Sequence, residues 1–362
     1  MKRLARVACR LYNLALPFTH LLFLALALAL PARVAGQGYP WTGSGVSAPV
    51  AALPAVGPAS VTRVALTVSD MERSLAFYRD ILGFRVVADT EVVGPEWERL
   101  TGVFGVRIRI TRIRLGDESL ELWEYLASPG RPAPVDSRSN DRWFQHVAII
   151  VSDMDSAYRV LRAHRVRQAS TGPQLLPKTI PNAAGIRAFY FRDPDGHPLE
   201  ILQFPPDKGD PRWQRKDRLF LGIDHTAIVV ANTERSLRFY RDLLGFRVAG
   251  ESENFGAEQA HLNNVEGAHL RITGLRAPGG GPGVEFLEYL APRDGRAYPA
   301  DERPSDLVHW QTTVAVPGLG ALVGRLRQAG SPEVSRPAGN PDSGQGVLFR
   351  DPDGHTVRLV EP

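Results

Sequence analysis

Histidine and carboxylate side chains are the groups in this sequence that could carry out chemistry, because cysteine is almost absent. The chain of 362 residues has nine histidines and 39 acidic residues, but its single cysteine is Cys9, near the N-terminus. The rest of the chain therefore cannot form a disulfide, a thiolate metal site or a cysteine nucleophile. It also contains no G-x-S-x-G motif, P-loop, Rossmann fingerprint or zinc-protease spacing.

Internal repetition shows how the chain arranges such groups. The segment ERSLAFYRDILGFRV at 72–86 returns as ERSLRFYRDLLGFRV at 234–248. The segment FRDPDGH occurs unchanged at 191–197 and at 349–355. Two further segments share the strand-then-helix pattern without close identity. The chain therefore consists of two halves, each made of two modules.

The repeats and the composition define the boundaries of the predicted domains. We predict a signal peptide at 1–36 and a flexible linker at 37–60, which is rich in Gly, Pro, Ala and Ser. A first domain should cover 61–205 and a second domain 221–362, with a polar linker at 206–220 between them. At roughly 150 residues per domain, the length agrees with two domains.

Each module has the pattern of a strand, a helix and about three further strands. Alternating apolar residues at 64–68 indicate the first strand. A capping-box sequence at 69–72 and an apolar stripe from 71 to 82 predict the helix. The DPDG sequence at 193–196 predicts a type I turn between two late strands. A βαβββ unit leaves one sheet face uncovered, so pairs of units should combine around a shared cavity.

These features resemble the vicinal oxygen chelate superfamily. The resemblance rests on the βαβββ duplication, on SDMERSLAFYRDILGF at 69–84 and on FRDPDGHPLE at 191–200. That superfamily includes glyoxalase I, methylmalonyl-CoA epimerase, extradiol dioxygenases, and fosfomycin and bleomycin resistance proteins. The resemblance covers about 61–362. It implies an α+β fold in which four βαβββ modules pair into two glyoxalase-like domains, with curved mixed sheets around a cavity.

The resemblance also implies metal ligands on the first and last strands of the paired modules. In the first domain the matching residues are Arg63, Glu121, His146 and Glu200. Arginine stays protonated and cannot ligate a metal, whereas the other three residues suit divalent Zn, Fe, Mn or Ni. We therefore expect one divalent ion here, held by His146, Glu121 and Glu200. One of the two glutamates would act as the catalytic base, and Arg63 would contact substrate.

In the second domain the matching residues are His225, Glu285, Gln311 and Arg358. The first three could ligate a metal, but they include a single carboxylate that Arg358 could neutralise. We therefore expect an ion pair between Arg358 and Glu285 rather than a second metal, with Arg358 as a substrate-binding residue. A plainer alternative also applies, since a glutamate near the end of a strand, such as Glu121, is usually solvated.

Three functions fit these residues. The first is a metal-dependent isomerase or lyase, in which an ion chelates adjacent substrate oxygens and a carboxylate moves a proton to form an enolate. The second is a metal-free protein that binds or sequesters an anionic small molecule through its arginines. The third is an extradiol-type dioxygenase, which needs two histidines and one carboxylate. Within each half that set is incomplete, which places the dioxygenase behind the other two. The isomerase or lyase and the metal-free binding protein fit almost equally well, and the resemblance to the enzymes of the superfamily favours the first.

The N-terminus and the charge distribution predict an exported protein. The net charge is +4, but the first 36 residues hold five basic residues and no acidic one, which leaves −1 for the rest. Nucleic acid is therefore not an expected partner. The apolar run at 21–30 is too short to span a bilayer and ends before Val34-Ala35-Gly36, a pattern typical of a cleaved signal. We expect a periplasmic or secreted protein without a stable membrane anchor that binds a small molecule. A homodimer is an open alternative.

Overall fold

The computed structural model describes residues 56–335 and 346–362. The predicted signal peptide at 1–36 and nearly all of the linker predicted at 37–60 lie outside the described residues. The last residues of that linker are ordered against the rest of the fold, because the Gly57 N–H donates to the Pro317 carbonyl and Ala59 is buried. None of the helices in the described ranges has the length and apolar character needed to cross a membrane.

The first module follows the predicted order, with one additional short helix. Its elements are β1 (Ser60–Val68), α1 (Met71–Asp80), β2 (Arg85–Val93), α2 (Pro95–Thr101), β3 (Arg107–Leu115) and β4 (Glu118–Tyr125). Helix α1 begins at the predicted place because the Asp70 side chain accepts a hydrogen bond of 2.9 Å from the Arg73 backbone N–H.

The second module contains the first DPDG turn. Its elements are β5 (Gln145–Val151), α3 (Met154–Ala163), β6 (Arg167–Gln168), β7 (Gln174–Leu175), β8 (Arg187–Arg192) and β9 (Pro198–Gln203). The Gly196 N–H donates to the Asp193 carbonyl, so the predicted turn joins β8 to β9. The following segment, predicted as a linker, includes a 3-10 helix at Pro211–Gln214 whose Trp213 is buried.

The second half repeats this arrangement. The third module consists of β10 (Phe220–Val230), α4 (Thr233–Leu237) continued by a π-helix (Arg238–Leu243), β11 (Arg247–Asn254), α5 (Ala257–Asn263), β12 (His269–Arg276) and β13 (Gly283–Ala291). The fourth module consists of β14 (Trp310–Ala315), α6 (Leu319–Gln328), β15 (Val347–Arg350) and β16 (Thr356–Val360).

Two mixed sheets are formed, and each takes one module from each half. Sheet A has the strand order β15-β16-β14-β1-β4-β3-β2, so it joins the first and fourth modules. Sheet B has the order β11-β12-β13-β10-β5-β9-β8-β6, with β7 beside β8, so it joins the second and third modules. The seams are the antiparallel pairs β1–β14 and β10–β5. The expectation that consecutive modules enclose one cavity is therefore wrong.

Consecutive modules are instead joined through their helices. One hydrophobic core combines α1 and α3 with strands from the first and second modules, and includes Tyr78 and Phe189. A second core combines α4, its π-helical continuation and α6 with strands from the third and fourth modules, and includes Tyr240 and Phe349. Because the helices cover one face of each sheet, the opposite face remains available for a site.

Candidate metal centre

The register of sheet B places two histidines and two glutamates on one face. Ala227 on β10 pairs with His146 on β5 and with Glu285 on β13, and His225 lies two residues before Ala227. Across the β5–β9 pair, Glu200 lies opposite the residue two positions after His146. Residues two apart on a strand point to the same face. The four side chains therefore converge from β5, β9, β10 and β13.

The distances between these side chains are those of a ligand cluster. The Nε2 atom of His146 lies 3.2 Å from Oε2 of Glu200, and the Nε2 atom of His225 lies 3.8 Å from the same oxygen. The Nε2 atom of His225 is also 3.5 Å from Oε1 of Glu285. Ligand atoms of His146, Glu200 and His225 all lie within 4.8 Å of one another. Two ligands that each bind one ion at 2.0–2.1 Å are about 3 Å apart, so these separations are close to those a metal requires.

Buried histidine nitrogens provide a test of whether a metal fits here. Both ring nitrogens of His146 and the Nε2 atom of His225 are buried and have no hydrogen-bond partner within the described ranges. An unsatisfied buried polar group costs about 1–3 kcal/mol. Coordination would satisfy one nitrogen of each ring, and a set of imidazole and carboxylate donors suits divalent transition metals. The residues therefore fit a divalent ion.

Asp224 fixes the orientation of His225 from behind the site. Its Oδ2 atom lies 2.9 Å from His225 Nδ1, and its Oδ1 atom accepts hydrogen bonds from Trp213 Nε1 (3.1 Å) and from Arg276 (2.8 Å). Burial alone would raise the pKa of the Asp224 carboxyl, but His225 and Arg276 hold it below its usual range. The side chain is therefore an ionised acceptor that leaves His225 Nε2 facing the cluster.

The carboxylates also make the site favourable for positive charge. Burial alone would lower the pKa of His225, but the carboxylates of Glu285, Asp224 and Glu200 raise it to about 9. Burial raises the pKa of Glu285, and the neighbouring Glu200 raises it further. Since the cluster stabilises a cation on His225, it also attracts a metal cation, which would displace the imidazole proton.

A cavity of about 480 Å³ opens above this cluster. Glu200, His225, Glu251 and Glu285 contribute its ionisable groups. Its walls also include apolar side chains: Leu176, Ala183, Ile186, Ala188, Leu202, Leu262 and Ile272. Gly274 on β12 lies opposite Glu285 and also borders the cavity. This volume is enough for a small organic molecule.

Comparisons with known proteins identify the family. The sequence model of the glyoxalase/bleomycin resistance protein/dioxygenase superfamily matches residues 60–201 and 222–359. The chain belongs to this superfamily. A 2-epi-5-epi-valiolone epimerase from Actinomyces is 34% identical over 159 residues, which are 41% of this chain and 81% of the relative. A lactoylglutathione lyase from Haemophilus influenzae is 27% identical over 139 residues, which are 38% of this chain and 87% of the relative.

A solved structure of the superfamily confirms the fold over most of the chain. The crystal structure of glyoxalase I from Zea mays superimposes with a TM-score of 0.55 at 16% sequence identity. The match covers 84% of this chain and 92% of the maize chain. The predicted resemblance and the predicted α+β fold of paired βαβββ modules are therefore confirmed.

The structure does not group the residues of this superfamily member as the sequence analysis expected. His146 and Glu200 lie together, but Glu121 is in sheet A, where its Oε1 atom accepts a hydrogen bond of 2.9 Å from Arg63. Arg358 also lies beside Glu121, at 3.8 Å, and not in the sheet that carries Glu285. These two expectations fail because strand β5 pairs with β10 of the second half and not with β1.

The residues that the sequence analysis ranked lower complete the cluster. His225 and Glu285 come from the third module and join His146 and Glu200, whereas Gln311 belongs to sheet A. A signal for this pairing was present in the sequence. The second and third modules supply a ligand at both strand positions, whereas the first and fourth modules each carry one arginine there.

Proposed function

We propose that the chain is a metal-dependent isomerase or lyase whose active site is the cavity of sheet B. The observation that carries this proposal is the convergence of His146 and His225, with unpartnered buried ring nitrogens, on the carboxylate of Glu200. The epimerase and the lactoylglutathione lyase among the relatives support the reaction class. The ion would be Zn, Fe, Mn or Ni, because these accept mixed imidazole and carboxylate ligands.

Each residue of the cluster has a proposed role. His146, His225 and Glu200 would hold the ion, which when bound supplies a Lewis acid that polarises adjacent substrate oxygens. Glu285 would move the proton, because its side chain is 24% exposed while that of Glu200 is only 5% exposed. A general base must reach the substrate proton, and Glu285 borders the cavity. Glu285 thus takes the role that the sequence analysis expected of either Glu121 or Glu200.

The cavity defines the class of substrate. Its volume of about 480 Å³ and its walls, which combine aliphatic side chains with polar ones such as Asn182, Asn254 and Gln259, fit a small molecule that carries several oxygen groups. The reaction class requires a carbon-bound proton next to a carbonyl, which Glu285 could remove and return. We therefore propose a small hydroxycarbonyl compound or a thiol adduct of a ketoaldehyde as substrate.

An extradiol-type dioxygenase is the second candidate. The sequence analysis placed it behind because each half lacks the required ligand set, but His146, Glu200 and His225 together supply two histidines and one carboxylate. The isomerase remains our first choice because Glu285 adds a carboxylate 3.5 Å from His225. Oxygen consumption with a catechol and Fe²⁺ would favour the dioxygenase.

Metal content tests the site directly. Purified protein dialysed with Zn²⁺, Mn²⁺, Fe²⁺ or Ni²⁺ should retain close to one ion per chain, measured by elemental analysis. Because both histidines hold the ion, His146→Ala and His225→Ala should each abolish retention, whereas Gln311→Ala and Arg63→Ala, at the corresponding positions of sheet A, should retain it. Metal retained by His225→Ala would contradict the site.

Proton exchange tests the reaction. In D₂O, metal-loaded protein should transfer solvent deuterium to a substrate of the proposed class, and Glu285→Gln should lower the rate by about 10²–10⁴-fold while it keeps the metal. Candidate substrates are the glutathione hemithioacetal of methylglyoxal and 2-epi-5-epi-valiolone. Equal rates for Glu285→Gln and the unmodified chain would remove Glu285 as the base.

We also propose that the chain is exported and acts in the periplasm or outside the cell. The basic start, the apolar run at 21–30 and the small residues before Gln37 support this proposal. Both sheets, and therefore the cavity, are completed within one chain. N-terminal sequencing of protein from the culture medium or periplasm should give a start near Gln37, and a start at Met1 would exclude cleavage.

A further inference from the structure

Sheet A carries positions that correspond one by one to the four clustered residues of sheet B, namely His146, Glu200, His225 and Glu285. Ala65 pairs with both Gln311 and Glu121, just as Ala227 pairs with both His146 and Glu285. By the same register, Arg63 corresponds to His225, and Arg358 corresponds to Glu200. The side chains of Arg63, Glu121, Gln311 and Arg358 therefore face the same side of sheet A. Sheet A thus has a second, chemically different version of the site.

The charge at this second site is positive. Among the residues that the structure describes, the carboxylate of Glu121 lies 2.9 Å from Arg63, 3.1 Å from Arg112 and 3.8 Å from Arg358, and Arg63 and Arg112 alone already outnumber it. Glu302 does not offset this charge, because it is paired with His309 and Arg350. Arginines cannot ligate a metal ion. The site therefore repels cations and attracts anions.

The cationic groups are held in place and are reachable from solvent. The guanidinium of Arg358 lies 5.4 Å from the ring centre of Trp123 and 5.8 Å from that of Trp97. Burial lowers the pKa of Arg358 and Glu121 opposes this effect, while Arg63 and Arg112 add to it, so that the pKa falls to about 10. The side chain of Arg112 is 42% exposed. An anion could therefore enter beside Arg112 and relieve this repulsion.

Position 112 shows the difference between the two sheets at one residue. Arg112 pairs with Glu121 across β3 and β4, and Gly274 pairs with Glu285 across β12 and β13. In sheet B the glycine leaves the cavity open, whereas in sheet A the arginine adds a third positive charge beside the glutamate. The two sites therefore differ in charge at the position beside the glutamate, which is where a ligand would lie.

Unpartnered polar atoms next to the arginines provide an independent observation. Gln311 is 1% exposed, and its Oε1 atom has no hydrogen-bond partner among the described residues. The hydroxyl of Tyr125 and the Nε atom of Arg63 are likewise buried without one. A ligand with both an anionic oxygen and a hydroxyl donor would serve the arginines and the Gln311 acceptor together.

The geometry points to a metal-free site on sheet A that binds a small oxyanion carrying a hydroxyl group, held by Arg63, Arg112 and Arg358 with Gln311. A hydroxycarboxylate and a hydrogen phosphate group share this chemistry. The site does not depend on the proposed function, because it shares no residue with the metal cluster.

Calorimetric titration of the metal-free full chain tests the site, with sodium hydrogen phosphate, glycolate and acetate as probes. Glycolate or phosphate should bind, and acetate should bind more weakly because it has no hydroxyl donor. Arg112→Gln should weaken binding about tenfold or more through the loss of a charged hydrogen bond. Arg107 is an exposed residue of β3 that lies five positions before Arg112 and points to the opposite face of the sheet. The control variant Arg107→Gln should therefore leave binding unchanged.

A second variant keeps the test decisive if Arg112→Gln alters the fold. Gln311→Glu keeps the side-chain shape and adds a carboxylate, so it should compete with the ligand and abolish binding. Phosphate binding without glycolate binding would identify phosphate as the source. Three results would each overturn the proposal. The first is no detectable binding of either phosphate or glycolate at about 10 mM. The second is binding that neither Arg112→Gln nor Gln311→Glu changes, and the third is binding that is lost in His146→Ala.

Discussion

Asp224 is the residue through which the scaffold controls the metal cluster without touching the ion. It is 7% exposed and accepts hydrogen bonds from Trp213 and Arg276 while it contacts His225 Nδ1. Asp224→Asn keeps the size of the side chain but loses the negative charge that fixes the His225 ring. We expect metal affinity to fall about 10–100-fold.

Titration with Zn²⁺ against a competing chelator measures this effect. Asp117→Asn is the control, because the Asp117 side chain is 88% exposed and lies outside the cluster. An Asp224→Asn variant with unchanged affinity would show that His225 does not need this partner. The sequence analysis did not single out Asp224, since an aspartate next to a histidine on a strand normally points to the opposite face.

Residue types were easier to predict than their grouping. The strand positions of His146, Glu200, His225 and Glu285 could be read from the repeat, because each module places its inward residues at fixed offsets. The grouping of His146 with His225 and Glu285, in place of Glu121, was not predicted, because it depends on which module edges pair. The local strand patterns do not record that choice, and its trace in the sequence is the arginine that the first and fourth modules each carry at a ligand position.

At the scale of elements, the DPDGH turn after β8 ties three modules together. His197 Nδ1 lies 2.8 Å from Asp193 Oδ2, and His197 Nε2 lies 2.8 Å from the Leu307 carbonyl before β14. The Tyr78 hydroxyl of α1 donates to the same Asp193 carboxylate at 3.1 Å. The turn was predictable from its Pro and Gly, but these long-range contacts were not.

The His197–Asp193 pair predicts how stability depends on pH. Burial lowers the pKa of His197, but Asp193 outweighs this effect and raises it above its usual 6.5. Burial raises the pKa of Asp193, but His197 outweighs this and holds it below 3.8. The histidine contribution is therefore full below pH 6.5 and is lost as pH rises through its folded-state pKa. The aspartate contribution is full above pH 3.8 and is lost as pH falls.

Replacement of this histidine tests the prediction. His197→Gln should lower the free energy of unfolding by about 3 kcal/mol at pH 6, because it leaves a buried carboxylate unpaired. The difference from the unmodified chain should shrink between pH 6.5 and pH 9, measured by urea unfolding with chelator present. His164→Gln, at an exposed position, should cost little at any pH. A difference that is constant with pH would contradict the prediction.

At the scale of the whole molecule, each of the two sheets combines one module from the first half of the sequence with one module from the second half. The repeats predict four modules in two consecutive domains. In the structure each sheet instead joins one module of each half, because β1 pairs with β14 and β5 pairs with β10. The edges of the first strands have similar alternating patterns, so their sequences do not specify partners. The partners are indicated instead by the side chains that the pairing brings together, because the paired modules supply either two histidines and two glutamates or an arginine-rich set.

Cleavage between the halves separates the two arrangements. A protease site inserted after Asp207, in an exposed part of the segment predicted as a linker, should be cut without loss of structure. The two pieces should then elute together and keep one metal ion, because both seams and the ligand cluster cross between them. They should separate only in denaturant. Tandem domains that folded independently, as the sequence alone suggested, would separate on a sizing column as soon as the chain was cut, and metal would then stay with one piece or be lost.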